Sequence, residues 1–194
     1  MHRRQLTQAL IALACVGGRS ASAQSAAPSA DRFFALLRQG GFIVLMRHAQ
    51  TDPGIGDPPN FRLDDCGTQR NLSPQGRVQA TRIGQAFRNA GVVVDEVRSS
   101  AWCRCVDTAE LAFGRHTVWA PINSFFQQDG RERQTAEAVR SLHGFRGPGN
   151  LVLVTHQVNI TALTGEYTAM GEILLAKVDP SSPYGLSVVA RQAL

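Results

Sequence analysis

An α/β three-layer sandwich, with a mostly parallel central sheet flanked by helices, is the fold class this sequence predicts. Three observations point to it. Residues 42–46 (Phe-Ile-Val-Leu-Met) and 151–154 (Leu-Val-Leu-Val) are continuous apolar runs, the pattern of strands buried on both faces. Helical stretches separate the strand-like ones, and such alternation marks a parallel sheet covered on both sides. The length, 194 residues, suits one well-cored domain and is short for two.

Arg3 and Arg4 precede an apolar stretch at residues 10–16, and Ala21-Ser22-Ala23 stands before Gln24. A basic region, a short apolar core and a small-residue cleavage site form the pattern of a secretory signal peptide. The expected organisation is a signal peptide at 1–23, a flexible Ala/Ser/Pro-rich tail at 24–30 and one domain at 31–194. Cleavage near Ala23 would leave the protein periplasmic or secreted. It would also remove three arginines and no acid, taking the formal net charge from +5 to +2. No apolar run approaches the roughly 18 residues of a membrane span, so no transmembrane segment is expected. Nineteen arginines accompany one lysine, and arginine is the better two-point binder of phosphate. Without a dense basic run interleaved with aromatics, nucleic acid is not an expected partner.

Residues 31–38 read as a short amphipathic helix closed by Gly40-Gly41. Residues 52–71, rich in Pro, Gly, Asp and Asn, read as a long irregular loop. A helix follows, with Ser73 as N-cap and Pro74 at its first position, running to about Asn89. Strands are expected at 92–97 and 117–119, and helices at 102–113 and 131–142. A helix after His156 leads to late strands at 172–178 and 184–190, which should pair as a hairpin. Of the cysteines beyond the signal peptide, Cys66 is expected to pair with Cys103 or Cys105, leaving one thiol. Such a bridge stabilises by a few kcal/mol on the chain-entropy estimate.

Both apolar strands end in a histidine: Arg47-His48 follows the first and Thr155-His156 the second. In a parallel sheet the strand C-termini are where ligands bind. A third segment, Ser99-Ser100-Ala101-Trp102-Cys103-Arg104, carries an arginine to a helix start, where backbone N–H groups favour an anion. Two arginines and two histidines converging on one rim would suit a phosphate dianion.

Arg47-His48-Ala49, Asn71-Leu72-Ser73-x-x-Gly76-x-x-Gln79-Ala80, Ser99-Ser100-x-x-Cys103-Arg104 and Thr155-His156 together resemble the histidine phosphatase superfamily, the phosphoglycerate mutase-like fold. The resemblance covers about residues 42–165 and keeps the motif order. It implies that His48 is the nucleophile and carries a phosphoryl group, and that Arg47, Arg104 and His156 bind phosphate oxygens. It also implies a carboxylate after the third strand as acid and base. Asp129 is the expected residue and Glu132 the runner-up. Gln50, Asn71 and Gln157 are expected at the pocket. Two departures stand out: Ala49 and Gln157 occupy places where the family usually has Gly.

The export signal, the Asp65-Cys66 loop and the cysteines are similar to a small periplasmic group that includes a lipopolysaccharide core heptose phosphate phosphatase. The expected function is thus a metal-independent phosphomonoesterase without cofactor, acting outside the cytoplasm. Its expected partner is a small phosphorylated substrate, such as a sugar phosphate or lipopolysaccharide core. A catalytically weak phosphate-binding member of the same fold is the alternative. A zinc hydrolase fits poorly, because Cys-x-Cys is poor zinc spacing and no H-E-x-x-H helix exists. Trp102 is expected in the core, His116 and His143 at the surface, and Asp64-Asp65 as shapers of the long loop.

Overall fold

A computed structural model describes residues 30–194. The signal peptide and most of the tail expected at 1–30 lie outside the described residues, and Ala30 already begins the first helix. Six strands form one sheet: β1 (Ile43–Arg47), β2 (Val94–Ser99), β3 (Thr117–Val118), β4 (Asn150–Thr155), β5 (Ile173–Val178) and β6 (Leu186–Gln192), in the order β3-β2-β4-β1-β5-β6. The first four run parallel to one another, while β5 is antiparallel to β1 and β6 to β5. The late hairpin is therefore present and extends the sheet from β1.

Five helices cover the sheet: α1 (Ala30–Gln39), α2 (Pro74–Asn89), α3 (Cys103–Phe113), α4 (Arg131–Leu142) and α5 (Gln157–Thr164). Their placement explains why residues 43–46 of β1 and 151–154 of β4 are all apolar. Val44 and Met46 pack with Phe33 and Leu37 of α1, Ile83 and Phe87 of α2, and Ala109 of α3. Ile43 and Leu45 face the other way, onto Ala138 and Leu142 of α4 and Ile160 and Leu163 of α5. Successive strand residues point to opposite faces, so a strand at the sheet's centre needs apolar residues at every position.

Two short 3-10 turns, Cys66–Thr68 and Ala120–Ile122, interrupt segments that read as irregular. Asp65 caps the first by accepting from the Gly67 N–H, and it pairs with Arg62. Its expected loop-shaping part is what it plays. Cys66 is bonded to Cys103, and Cys105 is a buried free thiol. Burial pushes that thiol up to about 12, which keeps it protonated at neutral pH. Among the described residues no helix is long and apolar enough to cross a membrane.

Candidate active site

The parallel strands β2, β4 and β1 lie side by side, so their C-terminal ends form one rim. Arg47 stands opposite Thr155, and the His48 N–H donates to the Thr155 carbonyl at 2.9 Å. This register brings His48 and His156 level, with ring centroids 5.6 Å apart. The Ser100 N–H likewise donates to Val154, at 3.0 Å, which sets the start of α3, and with it Arg104, beside the two histidines.

Each imidazole has a defined tautomer. His48 Nδ1 lies 2.9 Å from the Ala49 carbonyl oxygen. A carbonyl only accepts, so Nδ1 carries the proton and Nε2 keeps its lone pair. For His156, Nδ1 lies 3.4 Å from Arg104 Nη2 and Nε2 lies 2.8 Å from Ser100 Oγ. A guanidinium only donates, so Nδ1 accepts and the proton sits on Nε2. Burial lowers the His48 pKa to about 3, with the Arg104, Arg47 and Arg70 charges assisting. Burial and Arg104 likewise hold His156 well below its ordinary value. Both rings are neutral over the physiological range.

Three arginines surround this pair. Arg47 donates through Nη1 to the Thr168 carbonyl at 2.7 Å. Arg104 is 4% exposed, held by the Asp57 carboxylate at 2.7 Å. Arg70, which the motif reading passed over, donates through Nη1 to Thr51 Oγ1 at 2.8 Å and to the Gly54 carbonyl at 3.0 Å. Burial and the nearby Arg104 charge both depress its pKa. The Nε atoms of Arg47, Arg70 and Arg104 are all buried without a hydrogen-bond partner. Buried donors left unpaired are costly, and an anion taken between these guanidinium groups would offset that cost.

These groups open on a cavity of about 710 Å³. Phe61, Trp102, Phe126 and Tyr167 contribute aromatic walls, and Gln127, Gln128 and Gln157 contribute amides. Trp102 is buried as expected, yet it forms part of the cavity wall and donates from Nε1 to Asp57 at 2.9 Å.

Several expected residues do not meet the cavity. Asp129 is exposed on the segment before α4, and Glu132 is exposed in the first turn of α4; neither lines it. Between Phe125 and Gly130 it is Phe126, Gln127 and Gln128 that border the cavity. Asp57 supplies the lone carboxylate among the lining residues. Gln50 is exposed and Asn71 donates to the Cys66 carbonyl at 2.6 Å; neither lines the cavity. The N–H of Cys103, first in α3, is taken by Gln69 Oε1 at 2.9 Å, so it does not await an anion. Gln157 does line the cavity, but its side chain braces the 165–171 loop, accepting from the Thr168 N–H and Oγ1 at 2.9 and 3.0 Å.

The Asn71-to-Ala80 motif serves the loop after His48 instead. Ser73 caps α2 by accepting from Gly76 at 3.1 Å, and the Ser73 N–H donates to the Gln50 carbonyl at 3.0 Å. Gln79 accepts from the Gln50 N–H at 3.0 Å and donates to Met170 at 3.1 Å. A Cβ at Gly76 would lie 1.8 Å from the Gln50 carbonyl oxygen, so only glycine allows this approach.

A family model described as the histidine phosphatase superfamily (branch 1) matches residues 43–127. The chain's likeness is to the histidine phosphatase superfamily. A 2,3-bisphosphoglycerate-dependent phosphoglycerate mutase from a Nocardioides species is 30% identical over 92 residues. That match takes in 46% of this chain and 34% of the mutase, so the chain spans about a third of the curated relative's length. Among solved structures, the protein histidine phosphatase SixA complexed with tungstate matches 78% of this chain and 96% of its own, with TM-score 0.54 and 11% identity. The Rv3214 protein of Mycobacterium tuberculosis matches over 78% and 97%, with TM-score 0.56 and 16% identity. The TTHB049 protein of Thermus thermophilus matches over 79% and 99%, with TM-score 0.51 and 20% identity. At these identities the likeness is one of fold, and the histidine phosphatase fold is a central mixed sheet flanked by helices, as observed here.

Proposed function

We propose that this protein is a phosphomonoesterase that hydrolyses a phosphate ester through a phosphohistidine on His48. One observation carries the reading: a buried, neutral His48 with a free Nε2 lone pair, facing His156 and ringed by Arg47, Arg70 and Arg104. Nε2 attacks phosphorus, the bond from phosphorus to the leaving oxygen breaks, and the arginines hold the equatorial oxygens as charge moves. Water then attacks the phosphohistidine, releasing inorganic phosphate and restoring the lone pair. The positive field comes from the arginines, so no metal is assigned a role.

The leaving oxygen is the demanding point. Asp129 and Glu132 stand outside the cavity, and Asp57 is kept ionised by Arg104, which makes it a poor proton donor. Aryl phosphates should therefore turn over much faster than alkyl phosphates, with rates falling steeply as leaving-group pKa rises. A flat dependence would show that an acid does reach the leaving group.

A sugar phosphate or lipopolysaccharide core phosphate, met outside the cytoplasm, is the substrate class this reading favours. The support is the signal-like N-terminus and a cavity wall that offers aromatic faces and amides. The second reading, a phosphate-binding protein with weak or no turnover, is favoured by the lack of a protonated carboxylate in the cavity. Hydrolysis of p-nitrophenyl phosphate separates the two. We expect turnover, reduced at least about 1000-fold in His48→Ala and retained in EDTA. No turnover by the wild type across a broad pH range leaves the binding protein.

A further inference from the structure

Asp57 lies in the long segment between β1 and α2, and its side chain is only 8% exposed. Four donors converge on it. Arg104 gives Nη1 to Oδ1 at 2.7 Å and Nη2 to Oδ2 at 3.1 Å. Trp102 Nε1 gives to Oδ2 at 2.9 Å, and the Arg70 backbone N–H gives to Oδ1 at 3.0 Å. Such a carboxylate is fully committed, and its lowered pKa, set by these bonds against the opposing effect of burial, keeps it charged.

A guanidinium offers two edges for two-point bonding: the terminal edge, Nη1 with Nη2, and the side edge, Nε with Nη2. Asp57 takes the terminal edge. Nε is left buried and unpaired, while Nη2 also reaches His156 Nδ1 at 3.4 Å. Nη2 thereby spends its second hydrogen on His156, so Nε–H is the one Arg104 donor left unpaired, close to the histidine pair. We propose that Asp57 is a positioning residue for phosphoryl transfer: it locks the terminal edge of Arg104 so that the guanidinium plane, with its unpaired Nε–H, is preset for the phosphate held against His48. The inference rests on the reading of His48 as the phosphoryl acceptor. It explains why a site for anions contains a buried carboxylate. Without it Arg104 would be free to pivot, and three like charges would repel with less compensation.

The rival role for such a carboxylate is to stand in for phosphate and leave when substrate arrives. A double-mutant cycle with the full chain tests between them, using wild type, Asp57→Asn, Arg104→Lys and the double variant. Turnover of p-nitrophenyl phosphate gives kcat and KM, and calorimetry gives the Kd of orthovanadate, which mimics the five-coordinate phosphorus. Asp57→Asn is expected to lower kcat roughly 10- to 100-fold with KM changed less than about threefold, since misplacement costs the transition state most. The vanadate Kd should rise about tenfold with it. Lysine has no guanidinium plane to orient, so in the Arg104→Lys background the same change should cost under about threefold.

Faster turnover or tighter vanadate in Asp57→Asn would mean that the carboxylate competes with phosphate, and the proposal fails. An equal loss in both backgrounds would mean that Asp57 does not act through Arg104, and it fails likewise. Should Asp57→Asn not fold, by near-UV circular dichroism, Asp57→Ser is read in the same cycle. A wild type that binds vanadate without turning over any ester overturns the phosphatase reading alone, because the vanadate arm still decides what Asp57 does.

Discussion

His48 and His156 owe their neutrality to position. Each follows the last residue of a buried parallel strand, so the sheet takes the rings out of water and sets guanidinium groups beside them. The consequence for stability has a definite sign. Both folded-state pKa values lie below the ordinary value of about 6.5. Below that pH the unfolded chain takes up protons that the folded protein refuses, so stability is full above it and falls as pH drops. Each histidine contributes about 1.4 kcal/mol per pH unit once the unfolded form is protonated. Urea unfolding followed from about pH 6.5 to 4.5 should show this decline, and His48→Asn should remove about one proton's worth of slope. An unchanged slope would mean that His48 takes up its proton in the folded state. Ala49, beside His48, is accommodated at this scale: its methyl is fully buried with Leu72 and Ala80, and its N–H donates to Thr108 Oγ1 at 3.0 Å.

The element that most needs holding is the long segment between β1 and α2, because it carries Asp57 and Arg70 to the site. The Cys66–Cys103 bridge ties it to the first turn of α3, one residue before Arg104. Cys66→Ser with Cys103→Ser should lower unfolding stability by about 3–4 kcal/mol, from the loop entropy of a sequence separation of 37. It should also weaken vanadate binding, because the loop and α3 would no longer be registered. Equal midpoints of oxidised and double-variant protein in urea would contradict this. Elements with strong local signals were legible beforehand. Ser73-Pro74 marked the start of α2, the apolar runs marked β1 and β4, and the late hairpin was recognisable. The two 3-10 turns and Asp57 were not, since a loop without periodicity gives no sign of which side chains fold inward. Arg70 directly precedes the Asn71-to-Ala80 motif, but its spacing alone does not reveal a direction.

For the whole molecule, anion binding and folding should be linked. Arg47, Arg70 and Arg104 come from three separate segments, and the unfolded chain does not bring them together. Inorganic phosphate or vanadate should therefore raise the thermal midpoint, with about 2.7 kcal/mol of added stability at a hundredfold excess over Kd. The gain should persist in His48→Ala, where the arginines remain, and largely vanish in Arg104→Ala. A midpoint indifferent to vanadate in the wild type would argue against a built phosphate site. Local chemistry in the chain already determined the α/β sandwich, the central strands and the Arg47-His48, Arg104 and His156 set, because periodicity and strand ends are local properties. Only the tertiary structure decided that Cys66 pairs with Cys103, that Asp129 stays outside the cavity, and that Asp57 and Arg70 enter it. Those outcomes depend on the path of loops over the sheet, which is set by contacts between residues far apart in the chain.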